Sequence, residues 1–277
     1  MPVRIVQSKQ NARLKQLRRA MAYPGRDPAG LAGIEGPNLL EEAMRAGLHI
    51  ACVFVGQGFE QLLEPLPLPE ETEILLLPRE LLDSALDTQS PQPVAALVQP
   101  PDWTWPHILR PQNSVPLVVV LAGIQDPGNL GTILRSAEAF GAGGVIALPG
   151  TVSAWNPKSV RASAGSVFRV PVIESTVPDC FTNLREAGAR ILTTTVKMAE
   201  PLDMMDLTGP VAVIFGNEGN GVPDEVARQA DEKATIPCPG AVESLNAAVA
   251  ASVMLYEAAR QRREQEIKIL GRRGGLG

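Results

Sequence analysis

From Val115 onward the apolar positions fall in short unbroken runs separated by stretches with helical spacing. The run VPLVVVLAG (115–123) offers no polar residue to a solvent face, which marks a strand buried on both sides of a parallel sheet. TILRSAEAF (132–140) follows as a helix, because Ile133, Leu134, Ala137 and Phe140 lie at offsets 0, 1, 4 and 7 and share a face. Further strands are predicted in 143–150, 170–174, 190–197, 210–216 and 234–240. Helices are predicted at 159–168, 180–189, 223–230 and 244–267. This alternation predicts an α/β domain with a mostly parallel sheet over residues 115–270.

Residues 1–98 read as a smaller α/β domain. NLLEEAMRAG (38–47) precedes IACVFVG (50–56), ETEILLLP (71–78) precedes ELLDSAL (80–86), and VAALVQ (94–99) follows the turn TQSPQP. Between the halves, PPDWTWPHILRPQNSVP holds five prolines in seventeen residues. Proline at that density interrupts helix and sheet, so residues 99–114 read as a stiff linker. The tail GRRGGLG (271–277) is too glycine-rich to fold alone and is expected to be disordered.

A length of 277 residues with 45 % apolar composition suits two globular domains. No apolar run reaches the roughly 18–20 residues of a spanning helix, so no membrane partner is expected. The first twenty residues carry charges where a secretory signal needs an apolar core. Cys52, Cys180 and Cys238 are far apart and form no C-x-x-C pair, which suits reduced thiols of a cytoplasmic protein better than disulfides or a zinc site. His49 and His107 stand alone, which argues against a histidine-based hydrolase, and no metal is called for. The net charge is -5, yet residues 1–26 hold seven basic side chains and no acidic one, and Arg260–Arg273 holds six against two glutamates. Such clusters are either solvated helix faces or contacts for RNA phosphates.

Three loops follow predicted strands, where ligands of α/β sheets bind. In DPGNLGTILRSAEAF, Asn129 lies ahead of Arg135 and could orient its guanidinium; the alternative is a surface ion pair of Arg135 with Glu138, three residues on. FGNEGNGV (215–222) spaces its glycines G-x-x-G-x-G, unlike the dinucleotide pattern, and an acidic Glu218 suits a ligand without phosphates. In IPCPGAVESLNAAVAASVM, Ser244 or a neighbour caps a long helix and Asn246 occupies its first turn. These features imply a nucleotide-like ligand, an Arg–Asn pair for an anion or an oxygen nucleophile, and basic extensions compatible with RNA. They leave the reaction open.

Taken together and in this order, the three loops resemble the three motifs of the SpoU (TrmH-like) RNA ribose methyltransferases of the SPOUT superfamily, over nearly all of 115–262. SKQNARLKQLRR, GIEGPNLLEEAMRAG and DTQSPQPVAALV resemble, more weakly, the RNA substrate-binding domain often fused to that family, whose fold is like certain ribosomal RNA-binding proteins. The resemblance implies S-adenosyl-L-methionine-dependent methylation of a ribose 2′-hydroxyl, a trefoil knot, and a homodimer that completes the active site. It implies catalytic roles for Asn129, Arg135, Glu218, Ser244 and Asn246. It implies cofactor contacts at Thr194, Gly216, Asn217, Glu218, Gly219, Ile236, Pro237, Leu245 and Asn246. An rRNA of the large subunit is preferred over tRNA because of the added N-terminal domain; a non-catalytic RNA-binding or assembly factor is the alternative from another class. A guanidinium stays protonated at any physiological pH, so Arg135 is expected to stabilise charge and clamp phosphate while the hydroxyl proton leaves to a neighbour or water.

Overall fold

The structure, a computed structural model, describes residues 3–22, 24–86, 88–109, 115–195, 198–217, 219–242 and 244–274, the last four by backbone alone. Two compact units form: Met1–Asp102 with Ser153–Arg169, and Trp103–Val152 with Val170–Gly277.

The first unit runs β1 (Val3–Ile5), α1 (Ala12–Ala20), β2 (Ala32–Glu35), α2 (Pro37–Arg45), β3 (Ile50–Gly56), β4 (Ile74–Leu77), α3 (Arg79–Asp83) and β5 (Val94–Val98). Its sheet has the order β1-β4-β3-β5-β2, parallel except that β5 is antiparallel to both its neighbours. The strand patterning anticipates β3, β4 and β5 but not β1 or β2. β1 is three exposed residues, and AGIE of β2 is a poor strand former that becomes one by pairing along β5. In α1, Asn11 Oδ1 accepts from the Leu14 amide at 3.2 Å, and Leu14, Leu17 and Ala20 bury one face. The basic cluster sits around this helix and is partly consumed. Arg4 and Arg13 reach Glu73 at 3.4 and 2.9 Å, and Arg18 donates to the Lys9 carbonyl and to Ser84 Oγ. Lys9, Lys15 and Arg19 remain exposed.

The second unit begins with α4 (Trp105–Leu109), a short helix inside the stretch 99–114 read as a stiff linker without helix. Pro106 is tolerated there because it lies in the first turn, where its missing N–H has no partner to lose, and Ile108 joins the core. Residues 110–114 lie outside the described residues. Then come, in chain order, β6 (Leu117–Ala122), α5 (Pro127–Ala139), β7 (Gly144–Ala147), the first-unit helix α6 (Pro157–Ser163), β8 (Val172–Glu174), α7 (Val177–Glu186), β9 (Arg190–Thr194), β10 (Glu200–Pro201), β11 (Val211–Gly216), α8 (Asp224–Ala227), β12 (Glu232–Thr235) and α9 (Ala247–Gly274). Among the described residues the sheet has the order β10-β12-β9-β11-β6-β7-β8 and every pairing is parallel, as the unbroken apolar runs predict. β6 is buried at all six positions. At β11–β6 the chain order reverses across adjacent strands, so their carboxyl ends open a crevice.

α6 departs from the sequence reading. It ends at Ala164, which is left-handed (φ 50°), and a 3-10 turn over Ser166–Phe168 replaces the rest of the predicted helix. It packs on β2 of the first unit, so residues 153–169 belong there and interrupt the domain read as 115–270. The packing is tight: a Cβ on Gly25 would lie 1.9 Å from the Trp155 carbonyl oxygen, and Gly25 has φ +98°. Glu35 ties this segment down. Its Oε1 accepts from Thr88 Oγ1 and the Gln92 amide, and Arg161 lies 3.5 Å from Oε2.

α9 also differs at its end. It continues to Gly274, into the tail expected to be disordered, since each residue added to a formed helix gains a hydrogen bond without a new nucleus. Residues 275–277 lie outside the described residues. Arg262 anchors the helix to the sheet by donating to the carbonyls of Val115, Pro116, Leu207 and Gly209.

Candidate functional site

The loop after β6 is shorter than the sequence implies. Asp126 is the N-cap of α5 and Pro127 its first residue, so DPGN is a helix start and Asn129 stands in the first turn. After β11, the chain folds back on itself. The Asn217 and Gly221 backbones exchange hydrogen bonds at 2.9 and 2.8 Å, and Gly216 lies beneath them. A Cβ at Gly216 would sit 2.0 Å from the Gly221 carbonyl carbon, so this glycine is required by close approach. After β12, residues 236–246 lead to α9, whose N-cap is Asn246, not Ser244. Asn246 Oδ1 accepts from the amides of Ala248 and Val249 at 2.9 and 3.2 Å.

Two side-chain amides sew these loops together. Asn217 Oδ1 accepts from the Gly219 and Asn220 amides, and its Nδ2 donates to the Gly123 carbonyl at 3.0 Å, joining the loop after β11 to the loop after β6. Asn246 Nδ2 donates to Asn129 Oδ1 at 3.0 Å, joining the start of α9 to the start of α5. Between the loops lies a cleft of about 890 Å³, within the roughly 300–1,000 Å³ usual for small-molecule sites.

Most of the expected cofactor residues line this cleft. Thr194 comes from β9, with Oγ1 bonded to the Ile214 carbonyl. Gly216, Asn217 and Gly219 come from the second loop, and Ile236, Pro237, Ser244 and Leu245 from the third. Asn129 and Asn246 are not in the lining; they brace its rim through their mutual bond. Glu218 lies outside the described residues.

Arg135 is placed differently from the expectation. It is exposed on α5, does not line the cleft, and bonds neither to Asn129 nor to Glu138. The geometry of a helix explains this: six residues advance about 9 Å and turn the side chain roughly 120° away from that of Asn129. Its neighbourhood is an exposed face. Ser136 Oγ meets Ser252 Oγ at 2.7 Å, and Phe140 packs edge-on against Tyr256, holding α5 to α9. The face of Thr132, Arg135 and Ala139 therefore adjoins Val249, Val253 and Tyr256 of α9, which are 48 %, 37 % and 50 % exposed.

The sequence reading did not single out Thr193, Asp224, Lys233 or Cys238, all in the lining. For Thr193 a signal existed: β9 ends in Thr193 and Thr194, with Thr195 next, after the apolar Ile191 and Leu192, at the end where ligands bind. Asp224 and Lys233 had none beyond their place near strand ends. Among the described residues no cluster of side chains could hold a metal ion.

Residues 116–256 match the SpoU rRNA Methylase family. The chain belongs to that family. Residues 11–96 match the MRM3-like substrate binding domain. Among the SpoU-family relatives, the 23S rRNA (guanosine(2553)-2′-O)-methyltransferase RlmP of Bacillus subtilis is 28 % identical over 251 residues, 91 % of this chain and 97 % of that protein. An uncharacterized tRNA/rRNA methyltransferase of Synechocystis, slr1673, is 34 % identical over 92 % of this chain and 93 % of its own length. The AdoMet-bound rRNA methyltransferase of Sinorhizobium meliloti superposes with a TM-score of 0.81 at 30 % identity, covering 93 % of this chain and 98 % of the other. AviRb of Streptomyces viridochromogenes, in complex with AdoMet, gives 0.79 at 29 % identity, over 91 % and 98 %.

Proposed function

We propose that this SpoU-family enzyme methylates a ribose 2′-hydroxyl of RNA with S-adenosylmethionine, and that its substrate is large-subunit rRNA in preference to tRNA. The observation that carries this is the cleft at the carboxyl ends of β9, β11 and β12, braced by Asn217–Gly123 and Asn246–Asn129. The cleft fits the cofactor in size and chemistry: it offers glycine backbone, hydroxyls and an apolar wall, and it carries few charges. The 23S rRNA enzyme RlmP and the AdoMet-bound S. meliloti enzyme, both matched along nearly their whole lengths, support this reading.

When bound, the cofactor supplies a methyl group already activated by a positively charged sulfur. What the protein must add is alignment of the sugar oxygen and stabilisation of the charge developing on it. Asn217 and Asn246 fix the loops that form the walls. Arg135 is the group suited to the oxygen or its neighbouring phosphate, the proton passing to a neighbour or water. Because Arg135 lies on the exposed α5–α9 face, it serves the cleft of a second copy in this reading. A homodimer through that face also covers Val249, Val253 and Tyr256, which a monomer leaves in water. A knotted path for the chain around the cofactor loops is part of the same reading, as is a cytoplasmic location, which suits an RNA substrate and free thiols.

The test is calorimetric titration with S-adenosylmethionine, followed by transfer of labelled methyl to rRNA and tRNA. Cofactor binding and ribose methylation of rRNA are expected; binding of RNA without the cofactor would indicate a scaffold that has lost its chemistry. Mixing Arg135→Ala with Gly216→Val, each inactive alone, should restore part of the activity if each cleft takes its arginine from the partner.

A further inference from the structure

The packing of α9 on its own unit stops at Arg262. Ala248, Ala251, Met254, Leu255 and Ala258 are buried and Arg262 is tied to four carbonyls, whereas every residue from Arg263 to Leu270 is exposed. The helix nevertheless continues to Gly274, an advance of roughly 18 Å beyond its anchor at 1.5 Å per residue. Propagation from a formed helix explains why this end stays helical. It does not explain why the end presents Ile267 and Leu270 to water, 62 % and 66 % exposed.

These two side chains belong to a longer pattern. Val249, Val253 and Tyr256 are followed by Arg260 and Arg263 and then by Ile267 and Leu270, at intervals alternating between four and three residues. That spacing places all of them on one stripe of the helix. Ile269, two residues past Ile267, points to the opposite side. In the middle of the stripe Arg260 is held by Glu257 and Glu264 of its own helix, so its charge is already countered. The stripe therefore has two apolar ends: one on the body beside α5, the other past it.

We propose that the projecting end of α9 is a clasp for a second copy of the chain, lying antiparallel along that copy's α9. In this arrangement Leu270 covers Val253 and Ile267 covers Tyr256 of the other helix, and the two-fold axis repeats each contact. Two observations select this occupant: the two ends are complementary to each other, and the stripe is continuous with the α5–α9 face. The inference rests on the homodimer reading given above, and goes beyond it by assigning a role to the part of α9 that leaves its own body.

Sedimentation velocity on a dilution series of the full chain tests it. Ile267→Ser combined with Leu270→Ser alters only exposed positions, so the fold should stand, and it should raise the dimer Kd about a hundredfold. Ile269→Ser, on the far side of the helix, should leave the Kd within about twofold. In a Cys238→Ser background, Val253→Cys with Leu270→Cys cannot close within one chain, because the two positions are about 25 Å apart along the helix. Oxidation should give a covalent dimer whose cross-linked peptides join position 253 to position 270. Bridges joining 253 to 253 and 270 to 270 overturn the antiparallel arrangement. A native Kd for the double serine variant, or an equal loss for Ile269→Ser, overturns the clasp. So does a double variant that dimerises natively but loses RNA affinity, which would make this end an RNA contact. A native chain that is monomeric throughout the series removes the homodimer reading itself.

Discussion

Replacing Asn217 with aspartate exchanges one NH₂ for an oxygen and tests whether the two ligand loops are held together by a single amide. Asn217 makes three side-chain hydrogen bonds: it accepts from Gly219 and Asn220 at 2.9 and 3.2 Å and donates to the Gly123 carbonyl at 3.0 Å. Alanine removes all three, which at ~1 kcal/mol for each partly buried bond destabilises the protein by about 3 kcal/mol. Aspartate keeps the two accepted bonds and strengthens them with its charge. It also brings an anionic oxygen to within the same 3.0 Å of the Gly123 carbonyl oxygen, and two unpaired acceptors there cost about 1–3 kcal/mol or drive the loops apart. The carbonyl is fixed by the backbone and cannot turn to donate. Aspartate should therefore unfold in urea between native and alanine, yet bind S-adenosylmethionine as poorly as alanine does, about tenfold below native. The reasoning fails if aspartate matches native in both urea midpoint and calorimetric affinity, for then the Asn217–Gly123 bond holds nothing.

Arg262→Met should destabilise the chain by about 3 kcal/mol, since four carbonyls lose one guanidinium; Arg262→Lys should recover only part of this, and a lysine variant with the native urea midpoint would show that the fork geometry is immaterial. Iodoacetamide at pH 8 should label Cys238 alone, because burial pushes the Cys52 and Cys180 thiols up to about 12 and keeps them protonated. Since Cys238 lines the cleft, S-adenosylmethionine should slow that labelling, and mass spectrometry showing equal rates would place the cofactor elsewhere. RNA binding should weaken steeply with salt, and replacing Lys15 and Arg19 by glutamine should make the slope shallower. Arg18, already bonded to Lys9 and Ser84, should matter less, and an unchanged slope for Lys15 and Arg19 would assign them to a solvated face.

The periodicity of the chain specifies the catalytic sheet well, because VVVL and VAVIF allow no solvent face and their only stable place is the middle of a covered parallel sheet. The three ligand loops were legible for the same reason, as polar and glycine-rich stretches at the ends of such strands. What local pattern cannot carry is which distant partner an element meets. β2 is a strand only because β5 lies beside it, and α6 is helical in either environment, so its spacing is silent about which sheet it packs on. Ser244 and Asn246 are equally good caps by residue type; the choice falls to Asn246 because its amide also reaches Asn129, 117 residues away. Arg135 shows the same limit from the other side. Its residue type and neighbours suggested a role beside Asn129, but the turn of the helix between them points it outward.

The excursion of residues 153–169 into the first unit means that the polypeptide passes from one body to the other three times, after 102, after 152 and after 169. Neither body is a contiguous stretch that can be cut out and expressed intact. A fragment ending near residue 102 would lack Arg161, the counter-charge of Glu35, and would expose the backbone surface that Gly25 keeps flush against Trp155. Grafting a different RNA-binding module onto this catalyst would thus require rewriting a segment in the midst of the catalytic half, which binds the two halves to a shared evolutionary fate.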